Sequence, residues 1–235
     1  MALNSRTALV TGANRGMGLA VARGLLDAGH RVALGCRDPG RGLAALESLE
    51  AEDRAIMVLL DTAEPETLAG AVFECEDALG PVEILVNNAA IYPDEGELCH
   101  ELPAEVFPRT IATNLLGPYE LCRLVLPGMK TRGSGRIVNV SSGYGAMAAQ
   151  RAGTGSYKVS KLALNGLTRV LADELSEMAD IKINAVCPGW VRTEMGGPSA
   201  SRSIAEGAAG ILHAALLPSD GPTGAFLRDG EPIAW

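Results

Sequence analysis

No stretch of this chain approaches the roughly 20 consecutive apolar residues that span a bilayer, so no membrane-embedded segment is expected. Basic runs are missing too: 20 Lys and Arg stand against 28 Asp and Glu, giving a formal net charge of −8 and a pI near 5.0. That balance argues against a nucleic-acid partner or an anionic membrane surface. Aromatic residues are scarce at 4% and form no stripe on which bases would stack. The three histidines, His30, His100 and His213, lie far apart and in no ligand spacing, so no metal site is expected. Five cysteines (Cys36, Cys75, Cys99, Cys122, Cys187) include no C-x-x-C pair. Their odd number and the lack of a signal-peptide pattern point to a reducing, cytoplasmic compartment, with the thiols acting as small buried hydrophobes.

What is present is a repeating alternation. Short aliphatic runs at Arg6–Thr11, Arg31–Cys36, Ala55–Asp61, Val82–Asn88, Arg136–Ser142, Ile181–Cys187 and Ala225–Leu227 read as strands. Between them, helix-period segments lie at Gly16–Ala28, Arg41–Glu50, Pro65–Leu79, Pro103–Lys130, Ser156–Met178 and Ile204–Leu217. Runs such as Ile84-Leu85-Val86 are apolar on both faces, the mark of parallel strands covered on each side. The pattern predicts an α/β fold: one doubly wound parallel sheet of about seven strands, with helices on both faces and right-handed crossovers. No linker divides it, so one domain over residues 1–235 is expected.

Strand one ends in Thr11-Gly12-Ala13-Asn14-Arg15-Gly16-Met17-Gly18, at the start of a helix. Glycines at 12, 16 and 18 permit a tight turn and close backbone approach to a pyrophosphate, which the helix N-terminus would then hold. The G-x-x-x-G-x-G spacing resembles that of the short-chain dehydrogenase/reductase family. In dinucleotide-binding folds a carboxylate ending strand two accepts the adenosine ribose hydroxyls. Here Cys36 stands where that acid is expected, followed by Arg37, with Arg15 in the glycine loop and Arg41 one turn further on. Guanidinium groups would clamp a 2′-phosphate that an acid would repel. The resemblance implies the same, NADP(H) as cofactor. It also places Asp61 and Thr62, and Asn88 and Ala89 within Asn87-Asn88-Ala89-Ala90, against the adenine and its ribose. The family's usual motif ends Asn-Asn-Ala-Gly, so Ala90 departs from it.

Tyr157 and Lys161 are four residues apart and share a helix face. An ammonium beside a phenol, whose ordinary pKa is about 10, favours the phenolate and would bring it nearer the working range. The strand before them ends Val140-Ser141-Ser142, at the carboxyl edge where open α/β sheets bind ligands. Each residue alone has a plainer reading, as a strand end or a solvated helix charge; their joint order does not. The resemblance to the family's Ser, Tyr, Lys and Asn tetrad assigns roles. Ser142 would hold the substrate carbonyl, and Tyr157 would act as general acid in reduction. Lys161 would hold the nicotinamide ribose and lower the tyrosine pKa. Asn114 would anchor a water linking the lysine to solvent. In the turn Cys187-Pro188-Gly189-Trp190-Val191-Arg192-Thr193, the resemblance sets Pro188, Gly189, Val191 and Thr193 against the nicotinamide.

Within that family the chain resembles most the vertebrate-type carbonyl reductases, through Leu34–Asp38, Asn184–Met195 and Pro222–Leu227. Those reductases carry a long insertion between the serine and the tyrosine, over a helix surface that other members use to oligomerise. Here Gly143–Ser156 is short, so apolar faces on Pro103–Lys130 and Ser156–Met178 are expected to pack in a homodimer or homotetramer. The implied activity is hydride transfer from NADPH to a ketone, aldehyde or quinone. Two alternatives stay open: an NADP-dependent secondary-alcohol dehydrogenase working oxidatively, and a non-catalytic NADPH-binding regulator. The substrate pocket is expected from Ile91–Leu98, Gly143–Thr154 and Gly196–Ser203. Tyr92, Tyr144 and Trp190 suggest an apolar or aromatic ligand.

Overall fold

Eight strands form one sheet in the order β3-β2-β1-β4-β5-β6-β7-β8, in a computed structural model that describes residues 5–235. The strands are β1 (Thr7–Thr11), β2 (Arg31–Cys36), β3 (Ala55–Leu59), β4 (Val82–Asn87), β5 (Ser134–Val140), β6 (Asp180–Val186), β7 (Phe226–Arg228) and β8 (Glu231–Pro232). All neighbouring pairs are parallel except β7 and β8. The order reverses between β1 and β4, and a crevice opens at the carboxyl ends of strands at such a switch point.

Helices cover both faces: α1 (Gly16–Asp27), α2 (Pro39–Leu49), α3 (Pro65–Leu79), α4 (Val106–Ile111), α5 (Gly117–Arg132), α6 (Gly155–Glu174) and α7 (Ile204–Ala215). Alternation along a strand sends successive side chains to opposite cores. Ala8 and Val10 of β1 join Val21 and Leu25 of α1 and Ile211 of α7 in one. Leu9 joins Leu68 of α3 and Leu121 and Val125 of α5 in the other. Every residue of β1 is buried, which is why the strand lacks the apolar–polar alternation of a half-exposed sheet.

The expected strand count of seven is one short. β8 pairs antiparallel with β7 through Leu227 and Pro232 and through Arg228 and Glu231. Asp229 (φ 53°) and Gly230 (φ 85°) turn the hairpin between them, the left-handed pair that Asp-Gly favours. The single helix expected over Pro103–Lys130 begins later, at Val106, and is interrupted by a π turn over Ala112–Leu116. Pro118 explains the interruption: it lacks an N–H and its ring crowds the carbonyl four residues back, at Asn114. Four of the five cysteines are buried, while Cys99 is exposed. Burial pushes the Cys36 thiol up to about 11, and those of Cys75 and Cys122 up to about 12. Among the described residues, no helix is long and apolar enough to cross a membrane, and no cluster of His, Cys, Asp and Glu is suited to a metal ion.

Candidate active site

After Thr11 the chain doubles back through Gly12 (φ 63°) and Gly16 (φ 55°), conformations that side chains other than glycine's adopt at a cost. A Cβ on Gly18 would stand 2.3 Å from the Gly12 carbonyl oxygen, so the first turn of α1 sits against the loop only because residue 18 is glycine. α1 has no side-chain cap and no acid in its first turn, leaving amides and the positive dipole end for an anion. The loop is braced from β4. Asn88 Nδ2 donates to the Thr11 carbonyl at 2.8 Å, while Thr11 Oγ1 accepts from the amides of Asn88 (3.0 Å) and Ala89 (2.9 Å). Ala90 is not among the positive-φ residues, so alanine fits where the resembling family has glycine.

A cleft of about 1470 Å³ follows the carboxyl edge of the sheet. Around the glycine loop it is lined by Gly12, Asn14, Arg15, Gly16, Met17 and Gly18, and beyond β2 and β3 by Arg37, Asp61 and Thr62. Asn88 and Ala89 line its middle, and Pro188, Gly189, Val191 and Thr193 come in from the turn after β6. Ser142, Tyr157 and Lys161 line the same cleft. Of the expected pocket segments, it takes in Ile91, Tyr92 and Glu95, then Gly143, Tyr144 and Ala149, and most of Gly196–Arg202.

Two of the residues singled out lie elsewhere. Arg41 lines a smaller adjoining cavity of about 460 Å³ that it shares with Asn14 and Arg15, and its Nε is 3.7 Å from Asp38. Asn114 is wholly buried in the π turn. Its Oδ1 accepts from the Ile91 amide at 2.9 Å, and its Nδ2 donates to the Ile91 carbonyl at 2.9 Å and to Ser160 Oγ at 3.0 Å. The side chain therefore ties the Ile91 wall of the cleft to α6. Lys161 Nζ donates to the Val140 carbonyl at 2.8 Å.

Tyr157 is 8% exposed and lies between two other tyrosines, with ring centroids 4.6 Å from Tyr92 and 6.4 Å from Tyr144. Burial pushes its phenol well above the usual value, and a hydrogen bond with the Ser142 side chain pulls the other way. Lys161 Nζ stands 5.7 Å from the Tyr157 ring centroid, and burial lowers its ammonium to about 8. The expected direction for the phenol is thus reversed in this structure. Loss of solvent outweighs any help from the cation, and the hydroxyl is held in its protonated, donating form.

The fold brings three further groups here: Asp94, inside the expected Ile91–Leu98 segment but with no role expected of it, stands behind the first turn of α6; Cys187, at the head of the expected nicotinamide turn, and Arg228, at the end of β7 and outside every expected segment, line the cleft. Only Arg228 had a local signal, the Asp-Gly turn that follows it.

A family model described as short chain dehydrogenase matches residues 6–203. NADPH carbonyl reductase 1 of Sus scrofa is 34% identical, with 100% of this chain and 96% of that protein aligned. The (+)-neomenthol dehydrogenase of Arabidopsis thaliana is 33% identical, over 94% of this chain and 95% of its own length. Among solved structures, the NADPH-bound carbonyl reductase from chicken fatty liver superposes with a TM-score of 0.87 at 30% identity, covering 99% of this chain and 100% of that one.

Proposed function

This chain belongs to the short-chain dehydrogenase family, and from that premise we propose that it is an NADPH-dependent reductase of small carbonyl compounds, namely ketones, aldehydes or quinones. The observation that carries the reading is one cleft that joins a glycine-shaped anion cradle to Ser142, Tyr157 and Lys161. NADPH is also the cofactor in the names of its carbonyl reductase relatives.

The cradle fits such a cofactor. Backbone approach is open at Gly12 and Gly16, no acid stands in the first turn of α1, and Arg37 follows Cys36 at the end of β2 where a ribose-binding carboxylate would otherwise sit. Arg15 and Arg37 would hold a 2′-phosphate, with Arg41 close behind them. Asp61 and Thr62 would meet the adenosine, and Pro188, Gly189, Val191 and Thr193 the nicotinamide. When bound, the reduced nicotinamide supplies the hydride.

This chain's own groups supply the rest. Ser142 holds the carbonyl oxygen by hydrogen bond, and Tyr157, kept protonated by burial, gives that oxygen its proton as the carbon is reduced. Lys161 sets a positive charge behind the phenol and steadies the phenolate left by proton transfer. Asn114 acts at one remove, by holding Ile91 and α6 together. Five free thiols and an acidic surface suit a reducing cytoplasmic setting.

The test is loss of absorbance at the reduced-nicotinamide band with a panel of neutral ketones, aldehydes and quinones. Turnover is expected with NADPH, and Tyr157→Phe should lower kcat by at least about 100-fold, the lower end for general acid catalysis, with NADPH binding retained. An unchanged rate in Tyr157→Phe removes the assignment. Turnover only of secondary alcohols with NADP+ would make the chain a dehydrogenase, and binding without turnover a regulator.

A further inference from the structure

We propose that Arg228 makes the reaction end of the cleft selective for carbonyl substrates that also carry a carboxylate, so that the preferred substrate is an apolar or aromatic oxo acid. This rests on the reductase reading above and refines its substrate class.

Arg228 is the last residue of β7, next to the carboxyl end of β6. Its guanidinium reaches into the cleft, with Nη2 3.0 Å from Cys187 Sγ. A Cβ on Gly143 would lie only 3.1 Å from the same nitrogen, so glycine after Ser142 leaves room for the arginine. The charge therefore sits one residue along the chain from the hydroxyl assigned to the carbonyl oxygen.

That charge has no direct carboxylate partner, although the adjacent Asp229 carboxyl feels it. Among the described residues, no carboxylate lies within 4.0 Å of Arg228. The neighbouring Asp229 is bound by Arg202 at 2.5 and 2.8 Å. Glu231 is the cross-strand neighbour of Arg228 in the β7–β8 hairpin, yet makes no ion pair with it. The other cations on the cleft wall are engaged or remote: Arg15 pairs with Glu194 and Arg202 with Asp229, Arg192 donates to the Ala200 carbonyl and Lys161 to the Val140 carbonyl, and Arg37 belongs to the β2 side. Glu95 is the acid that shares the reaction end, on the loop that carries Tyr92. An exposed guanidinium with spare donors, beside the reacting group of an acidic protein, is suited to a planar carboxylate. Tyr92 and Tyr144, flanking Tyr157, supply the apolar walls for the rest of such a molecule.

The test uses the full chain with NADPH and two acids, benzoylformate and 3-benzoylpropionate, each against its methyl ester. Arg228→Gln is expected to lower kcat/KM for at least one acid about 10- to 100-fold, the loss of one charge-assisted hydrogen bond, chiefly through KM. The esters and the KM for NADPH should stay within about twofold, because the esters offer the guanidinium no carboxylate and the cofactor phosphates lie at the glycine loop. Arg228→Lys should restore part of the loss, Glu95→Gln should not reproduce it, and added salt should weaken turnover of the acid more than of the ester. Equal losses on acid and ester, or a raised KM for NADPH that points to a cofactor phosphate as the anion, would overturn the proposal. Wild-type turnover of esters but of neither acid would also do so. If no carbonyl turns over at all, the reductase reading fails separately. Calorimetry with benzoylformate then decides: binding by wild type that Arg228→Gln weakens supports the anion site, and binding that is absent or unchanged ends it.

Discussion

The carboxylate of Asp94 accepts the backbone amide of Ser156 at 2.6 Å and that of Tyr157 at 3.4 Å, from 62 residues away in sequence. These are the second and third residues of α6, whose amides a helix N-cap side chain normally takes. The residue at the N-cap itself, Thr154, sits in the left-handed region (φ 61°) and makes no cap bond. Its hydroxyl accepts from the Gly96 amide at 3.1 Å instead. The loop that carries Tyr92 thus caps the helix that carries Tyr157 and Lys161, and the placement of the phenol depends on it.

Asp94 is fully buried and its Oδ1 has no partner, so the bond to α6 is what stabilises that carboxylate in place. Asp94→Ala should lower unfolding free energy by about 1–3 kcal/mol, the range for a lost cap or an unsatisfied buried amide, read from urea denaturation. Activity should fall further than the fraction of folded protein, because the first turn of α6 loosens at Tyr157. A variant with unchanged stability and kcat would show that the cap is dispensable.

The two titrating groups at the reaction end imply a specific pH dependence. Burial holds Tyr157 protonated well beyond neutrality, so the loss of reduction rate at alkaline pH is expected to report Lys161, near 8 in the free enzyme. The same shift has a sign for stability. Lys161 falls from 10.5 to about 8 on folding, so the unfolded chain binds the proton more tightly and folding is penalised below pH 8. The penalty, on the order of 3 kcal/mol, is relieved as pH rises from about 8 to 10.5. Lys161→Met removes the penalty and should be most stabilising, relative to wild type, at neutral pH. Its advantage should shrink toward pH 10 in parallel denaturation curves; a constant difference would contradict the assignment.

Cofactor choice gives a separate test at the β2 side. Arg37 is exposed, lines the cleft and has no carboxylate within 4.0 Å among the described residues. Arg37→Leu should weaken NADPH binding about 10- to 100-fold and leave NADH almost untouched, as measured by nicotinamide fluorescence titration. Arg15 is paired with Glu194, and both side chains are largely solvated. Glu194→Gln should free the guanidinium and tighten NADPH by no more than about fivefold, the scale of an exposed pair.

Much of this site could be read in the sequence because its signals are local. The glycine turn, the missing acid at Cys36 and the four-residue spacing of Tyr157 and Lys161 each lie within one short segment. What escaped depends on contacts between segments. β5 begins at Ser134, ahead of the expected start at Arg136, because the aliphatic run does not extend back to Gly135. It is in fact a strand residue without a side chain because Met129 packs against it, with Sδ only 2.4 Å from where a Cβ would stand. The π turn at Asn114 left no trace in apolar periodicity, although Gly117-Pro118 marked its place. Gly117 lets α5 approach β3's end, where a Cβ would meet the Thr62 carbonyl oxygen at 2.3 Å. The direction of the Tyr157 shift is not legible in the sequence for a related reason: spacing along a helix reveals the nearby cation, whereas Tyr92 and Tyr144 pack against the phenol from two other loops.

The outer face of α6 carries the remaining expectation, self-association. Val159, Ala163, Gly166 and Val170 follow one another at intervals of four, three and four, which places them along one side of the helix. Val159 and Val170 are 40% and 54% exposed, and nothing lies within 4 Å of where a Gly166 Cβ would be. On the neighbouring stretch, Leu116 and Tyr119 are also exposed. A stripe of small and β-branched residues centred on a glycine lets a second helix approach closely, and a two-fold axis across it would pair the stripe with itself. Light scattering after gel filtration should therefore give a dimer or tetramer mass. Gly166→Arg, which projects a charge from the middle of the stripe into open space within one subunit, should yield monomers that remain folded. A wild-type monomer, or a variant that still associates, would exclude this face as the interface.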